Sequence, residues 1–243
     1  MAYGLTKSLD LEISSAQVAT VADDTAFDLN GNTFTLEAWI NTEAIASSTN
    51  MVILGKWTTS GNQRSWVFRL NDASGTRTLQ MVTDADGAAG SATAKSSDTL
   101  TVSTATWYHA AVSVSSGACT FYWDGVETGT PAGNLDAANV GTSVVTVGGE
   151  RSDGTDGWDG KLSLIRVWKG EARSAAEIND NKCEVLGSTT NLSAEWTLDD
   201  VYTDNSGNGF TLTPANSPVF ATDVPATCAA TIAADNALTM CNF

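Results

Sequence analysis

The chain has 243 residues and a formal net charge of −16, from 28 acidic against 12 basic side chains. That charge repels phosphate backbones and anionic lipid surfaces, so nucleic acid is not an expected partner, and no apolar run approaches the ~18 residues of a membrane-spanning helix, so no membrane insertion is expected. Charged residues make up only 16% of the chain, with Thr, Ser, Ala and Gly abundant, which suits short strands with polar outer faces and many turns.

In chain order, Asp28–Asn32 predicts a turn before a long strand over 33–41. Within Phe34–Ile40 (FTLEAWI) the residues Phe34, Leu36, Ala38 and Ile40 share one face, the period-2 signature of a strand against a core, while Glu37 and Trp39 lie on the other. Met51–Trp57 is too apolar to be solvated on either side. Trp66–Leu70 and Thr78–Val82 read as a hairpin around the Gly/Asx-rich turn Asn71–Gly75. In Trp107–Val114 the residues Tyr108, Ala110, Val112 and Val114 alternate toward one face; the chain turns at Ser115–Gly117 and returns through Phe121–Trp123 to a tight turn at Asp124–Gly125.

Val144–Gly149 is the next strand, and Leu162–Trp168 is apolar on both faces, hence central. Ser174-Ala-Ala-Glu177 is a capping box that opens a short helix to about Asn181. Glu195–Leu198 is a late strand, and Asp204–Gly209 a glycine-rich turn leading to Phe210–Thr213. Alternation fades after Pro225, which divides the chain into one large β domain, residues 1–225, and a tail, 226–243. No internal repeat is evident, which disfavours a solenoid or propeller.

Four segments carry a resemblance when taken in order: FTLEAWI (34–40), WYHAAV (107–112), FYWDG (121–125) and WDGKLSLIRVW (158–168). The chain from about Leu9 to Pro225 resembles the laminin G-like and pentraxin-like branch of the concanavalin A-like lectin/glucanase superfamily. The resemblance implies an all-β fold, an antiparallel two-sheet β-sandwich of jelly-roll type, with Ser8–Glu12 and Gln17–Val21 as the family's opening hairpin.

The four cysteines, Cys119, Cys183, Cys228 and Cys241, have no CxxC spacing and only one histidine for company, which argues against zinc. Cys228 and Cys241 bracket a short tail loop and are the expected disulfide, with Cys119–Cys183 as the second pair; four unpaired thiols are the alternative. The start, Met1-Ala-Tyr-Gly-Leu-Thr-Lys, has neither a basic n-region nor an apolar h-region. Either a signal was removed or the protein reaches the outside by another route, such as a virion.

Catalysis is not expected. A retaining glycosidase places two carboxyls about 5–5.5 Å apart, and the Glu-x-Asp-x-Glu strand that supplies them in glucanases of the resembling superfamily is absent. The lone histidine, His109, lacks the flanks of the similar polysaccharide lyases. For calcium, the resemblance implies an ion near the opening strand, where Asp10 or Glu12 stands, but the later acidic position is replaced by Ser163-Leu164. A second candidate is the loop of Asp153, Asp156 and Asp159, three carboxylates spaced by glycines that would let them converge on Ca²⁺; a solvated acidic loop is the alternative, as it is for Asp199, Asp200 and Asp204. Sugar sites of this fold stack exposed aromatics on sugar faces, and of eight tryptophans Trp57, Trp66 and Trp158 flank loops, with Trp158 foremost.

Three functional readings follow. The first is a non-catalytic surface recognition or structural module, favoured as a phage virion protein (capsid decoration or fibre), because the Gly4–Glu12 start also resembles laminin G-like proteins encoded by phages. Its partner would be a glycan or a protein surface, its location extracellular or on the virion, and self-association is compatible with it. The second is a secreted calcium-dependent lectin module. The third, a glycan-active enzyme, lacks its carboxylate pair.

Overall fold

The computed structural model describes residues 4–45 and 49–229. In chain order it holds β1 (Ser8–Leu11), β2 (Val18–Val21), β3 (Phe34–Thr42), β4 (Asn50–Thr58), β5 (Gln63–Ala73), β6 (Thr76–Asp84), β7 (Ala92–Ser96) and β8 (Trp107–Ser115). There follow β9 (Ala118–Trp123), β10 (Val126–Glu127), β11 (Val145–Val147), β12 (Gly160–Lys169), α1 (Ala175–Asn181), β13 (Leu192–Trp196), β14 (Thr213–Ala215) and β15 (Val219–Ala221). They form two antiparallel sheets packed as a sandwich. The first runs β10-β9-β8-β3-β12-β1-β15, with β13 also pairing β12, and the second runs β14-β2-β11-β4-β5-β6-β7.

The core between the sheets is the one the alternation predicts. Phe34, Leu36, Ala38 and Ile40 of β3 are fully buried with Val112 and Leu162 on one side, against Ile53, Trp66, Phe68 and Val147 on the other. β12 departs from simple alternation in a way that matters for the site. A bulge shifts its register against β3 between Ser163 and Arg166, and Leu164 takes a positive φ of 44°. The extra residue turns Leu164 to the outer face, while Ile165 stays in the core. This explains a strand that reads as apolar on both faces.

The outer face of the first sheet is buried as well: Thr35, Glu37, Trp39 and Asn41 of β3 are at most 4% exposed. Glu37, Arg166 and Glu195 stand side by side on one rung of β3, β12 and β13. Arg166 Nε donates to Glu195 Oε1 at 2.7 Å, and its Nη1 lies 3.3 Å from Glu37 Oε1. Glu37 Oε1 also accepts the Trp168 indole N–H at 3.0 Å, and Arg173 stacks on the Trp168 ring. Much of the remaining polar capacity goes to the segment after α1. Glu195 accepts the amides of Leu186 and Gly187, while Arg166 Nη2 donates to the carbonyls of Asn181 and Glu184. The expected capping box opens α1: Glu177 Oε2 accepts the Ser174 amide and Ser174 Oγ the Glu177 amide.

The disulfide differs from the expected pairs. Cys183 bonds Cys228, with Cα atoms 5.0 Å apart, and Cys119 is a buried free thiol. The reason is tertiary. Cys119 points into the inter-sheet core from β9, whereas the anchored 181–187 segment and residues 223–228 meet over the outer face beside Leu5, Trp39 and Leu164. Residues 226–229, assigned by sequence to the tail, pack there: Cys228 is buried and its carbonyl accepts the Leu5 amide at 2.8 Å. Cys241 and the remainder of the expected tail lie outside the described residues.

Non-reducing peptide mapping should therefore recover Cys183 linked to Cys228, with Cys119, whose thiol burial raises to about 12, alkylated only after unfolding. The bond closes a separation of 45 residues, so reduction should lower stability by on the order of 4 kcal/mol by the chain-entropy model. A bridge to Cys119 would refute this arrangement.

His109 gives a second expectation. It is fully buried with Nε2 3.5 Å from Glu37 Oε2, and burial, opposed by Glu37 and reinforced by Arg166, lowers its pKa to about 4. The folded protein thus keeps it neutral where the unfolded chain, near 6.5, takes up a proton. Stability should fall as pH drops from about 6.5 to 4, by on the order of 3 kcal/mol. Denaturant titrations across this window should show His109→Gln losing that part of the slope; an unchanged slope would dismiss His109 as its source.

Candidate functional site

The outer face holds a second rung, nearer one end of the sheet. Asp10 of β1 pairs Lys161 of β12, Lys161 pairs Asn41 of β3, and Asn41 pairs Trp107 of β8. Their core-facing neighbours Leu9, Leu162, Ile40 and Tyr108 point inward, so these four side chains share the outward face. Asp223 closes over the rung: its Oδ1 accepts the Trp107 indole N–H at 3.0 Å, its Oδ2 the Asn41 amide at 3.4 Å, and its carbonyl the Ser8 hydroxyl at 2.6 Å.

Beside this rung opens a cleft of about 520 Å³. Trp39 and Trp107, Asp124 of the β9–β10 turn, Lys182 after α1, and residues 223–227 line it. Trp39 is nearly buried; its indole donates to the Lys182 carbonyl at 2.6 Å and its ring meets His109 edge-on at 5.3 Å. Trp107 is half-buried and supplies the accessible aromatic wall. The Cys183–Cys228 bond ties two of the cleft's walls together.

On the other side of the rung lies an acidic rim. Carboxylate oxygens of Asp10, Glu12 and Glu43 all lie within 4.8 Å of one another, the one such set among the described residues. Asp159 stands close by, its Oδ1 facing the Ile13 amide at 3.4 Å. Lys161 reaches into the rim to pair with Glu43, 4.0 Å from Asp10. Burial, with repulsion from Glu43, Asp223 and Asp159, raises the Asp10 pKa against the pull of Lys161. Burial and then Glu43, Asp159 and Asp10 raise Glu12. For Lys161, burial pulls downward, but the hydrogen bond to Glu43 and the charges of Asp10, Glu43 and Asp223 outweigh it and raise its pKa.

The residues singled out by sequence are placed elsewhere or used otherwise. Trp158 and Trp66 are fully buried between the sheets, their indoles donating to Asn41 O and Phe27 O. Trp57 is covered among Val52, Val67 and Val82 on the second sheet. None of the three offers a ring face to a ligand, because flanking a loop does not keep a large apolar ring out of a core. Asp153, Asp156 and Asp159 are held in different places: Asp153 accepts from Thr155 in its own turn, Asp156 at φ 50° accepts from Asn50 of β4, and Asp159 stands near the rim, its charge bearing on Asp10 and Glu12. Trp107 is the residue that sequence reasoning missed. Its signal was present, since it begins β8 on the face opposite Tyr108, Ala110, Val112 and Val114.

Comparisons with known proteins agree with this architecture. The Laminin_G_3 family model, described as the Concanavalin A-like lectin/glucanases superfamily, matches residues 14–179. Among curated proteins no sequence matches. A Bacteroides ovatus protein assigned to carbohydrate binding superposes with a TM-score of 0.67 at 21% identity over 90% of this chain, which spans 60% of that protein's length. The native heptameric SAP-like pentraxin of Limulus polyphemus gives 0.53 at 15% identity, over 90% of this chain and 92% of its own. The Ruminococcus gnavus IT-sialidase CBM40 bound to α2,3-sialyllactose gives 0.51 at 13%, over 74% and 98%. With two antiparallel sheets in this order and the family model matching residues 14–179, more than half of the chain, the chain belongs to the laminin G branch of the concanavalin A-like lectin/glucanase superfamily.

Proposed function

We propose that this protein is a non-catalytic carbohydrate-recognition module and that the Trp107 cleft is its sugar site. One observation carries the reading: a half-buried tryptophan on an otherwise covered sheet face, bordering a cleft with Asp124, Lys182 and Asp223 along its walls. An aromatic face for sugar C–H groups, with polar side chains placed for hydroxyls, is what a glycan site of this size needs. The carbohydrate-binding proteins that share the fold support it. The disulfide supports an oxidising, extracellular location.

More narrowly, the module belongs on a virion surface as a capsid decoration or fibre component, a placement supported by the resemblance of Gly4–Glu12 to phage-encoded laminin G-like starts. Capsid and terminase genes beside the coding sequence would carry this placement; a sugar-utilisation cluster would replace it. The acidic rim supports a second reading, a secreted calcium-dependent lectin. Calcium takes six to eight oxygens; Asp10, Glu12, Glu43 and the adjacent Asp159 supply carboxylates whose repulsion an ion would relieve, and Asp10 Oδ1 is buried with no hydrogen-bond partner. Lys161 fills part of the same space. Calcium there would neutralise the rim next to a bound sugar.

On a glycan array the native protein should bind at least one oligosaccharide class, and Trp107→Ala, which leaves the inter-sheet core untouched, should weaken that binding about tenfold or more. Binding that survives Trp107→Ala moves the site elsewhere. For the calcium reading, millimolar calcium against EDTA should raise the unfolding midpoint, by about 2.7 kcal/mol of stability at a hundredfold excess over Kd, and Glu12→Gln should abolish the shift. No shift in the native chain rejects it.

A further inference from the structure

The polar groups around the cleft are out of balance. Asp124 and Asp223 line it, and Asp223 is exposed. Lys182, the one ammonium in the lining, already donates to the Asp124 carbonyl at 3.3 Å and to Asn179 Oδ1 at 2.9 Å. Lys161, the next nearest, is held by Glu43 and Asp10. An acceptor is left over beside Asp223. Asn41 is 1% exposed, and its Oδ1 has no hydrogen-bond partner although its Nδ2 reaches Asp223. A buried acceptor without a donor is costly. What the cleft lacks is therefore both hydrogen-bond donors and positive charge.

From this we infer that the cleft takes a glycan bearing a free amine, a hexosamine unit whose 2-amino group is unsubstituted and protonated. The inference rests on the reading of the cleft as a sugar site. The ammonium sits beside Asp223, where it offers three donors and a charge, while the sugar ring lies against Trp107, whose π face also attracts a cation. An N-acetylated sugar brings one N–H and no charge. A sialic or uronic acid brings a carboxylate toward Asp223, Asp124 and the acidic rim, and is repelled.

The test compares short chito-oligosaccharides in deacetylated and N-acetylated forms with a sialylated oligosaccharide, by calorimetry in EDTA at moderate salt. The deacetylated oligomer should bind about tenfold or more tighter than the acetylated one, and the sialylated one weakest. The preference should vanish above about pH 8, where an amine of this kind loses its proton. Asp223→Asn should remove the preference, whereas Asp98→Asn, the same charge change on an exposed loop outside the cleft, should keep it; loss in both variants would mark mere attraction to an acidic protein and overturn the inference. Equal affinity for both oligomers, lost in Trp107→Ala, would overturn the amine inference and leave the sugar site standing. Binding of neither, or binding indifferent to Trp107→Ala, would overturn both.

Discussion

The outer face of the first sheet depends on one buried guanidinium. Arg166 sits between Glu37 and Glu195 on three adjacent strands, all three fully or almost fully excluded from water. Two carboxylates and one guanidinium in an apolar setting are tolerable only if their remaining hydrogen-bonding capacity is used. Here much of it is used by the backbone of residues 181–187. Removing one member of such a set typically costs about 3–5 kcal/mol, because the partner charge is left buried. The segment after α1 is thereby part of the charge's solvation and is bonded to the sheet beneath it.

That constraint propagates to the cleft. The fixed segment presents Cys183 to Cys228 and the Lys182 carbonyl to Trp39. The disulfide in turn holds residues 223–228, and Asp223 reaches from them to Trp107 and Asn41. The bulge in β12 contributes by turning Leu164 outward beneath the bond, giving this covering layer an apolar footing. The walls made by Lys182 and by residues 223–227 are thus tied to the buried ion set or to the covalent link, which lowers the ordering cost of binding.

Charge is distributed with the same economy. Most of the excess negative charge is solvated surface, but a share is concentrated on the rim of Asp10, Glu12 and Glu43 with Asp159 close by, where burial and repulsion from the neighbouring carboxylates raise the pKa values of Asp10 and Glu12. Lys161 answers only part of it. The rim and the Trp107 cleft share one rung, and Asp223 links them: it bonds Trp107 and Asn41 and its charge bears on Asp10.

Local pattern was enough for much of the skeleton. The period-2 alternation in Phe34–Ile40 and Trp107–Val114 and the Ser174–Glu177 capping box are set by neighbouring residues and stand as read, while the hairpin read around Asn71–Gly75 forms with its turn tightened to Ser74–Gly75. The expected opening hairpin does not form: β1 and β2 lie in different sheets, β1 pairing β12 and β15 and β2 pairing β11 and β14, because strand pairing across the sandwich and not chain proximity places them. Short strands of small or polar residues, such as Ala92–Ser96 and Thr213–Ala215, escaped because edge pairing and not their own pattern orders them. The site was not legible in the same way. Asp10, Asn41, Trp107, Lys161 and Asp223 are scattered along the chain and meet only through strand register and the covering segment. Which tryptophans are core, which cysteines pair and which carboxylates converge are likewise questions of what stands across the sheet or above it. The sequence by itself determined the longer strands, the core face of β3 and β8, and the family; tertiary structure alone decided the cleft, the disulfide and the acidic rim, because those depend on contacts between residues far apart in the chain.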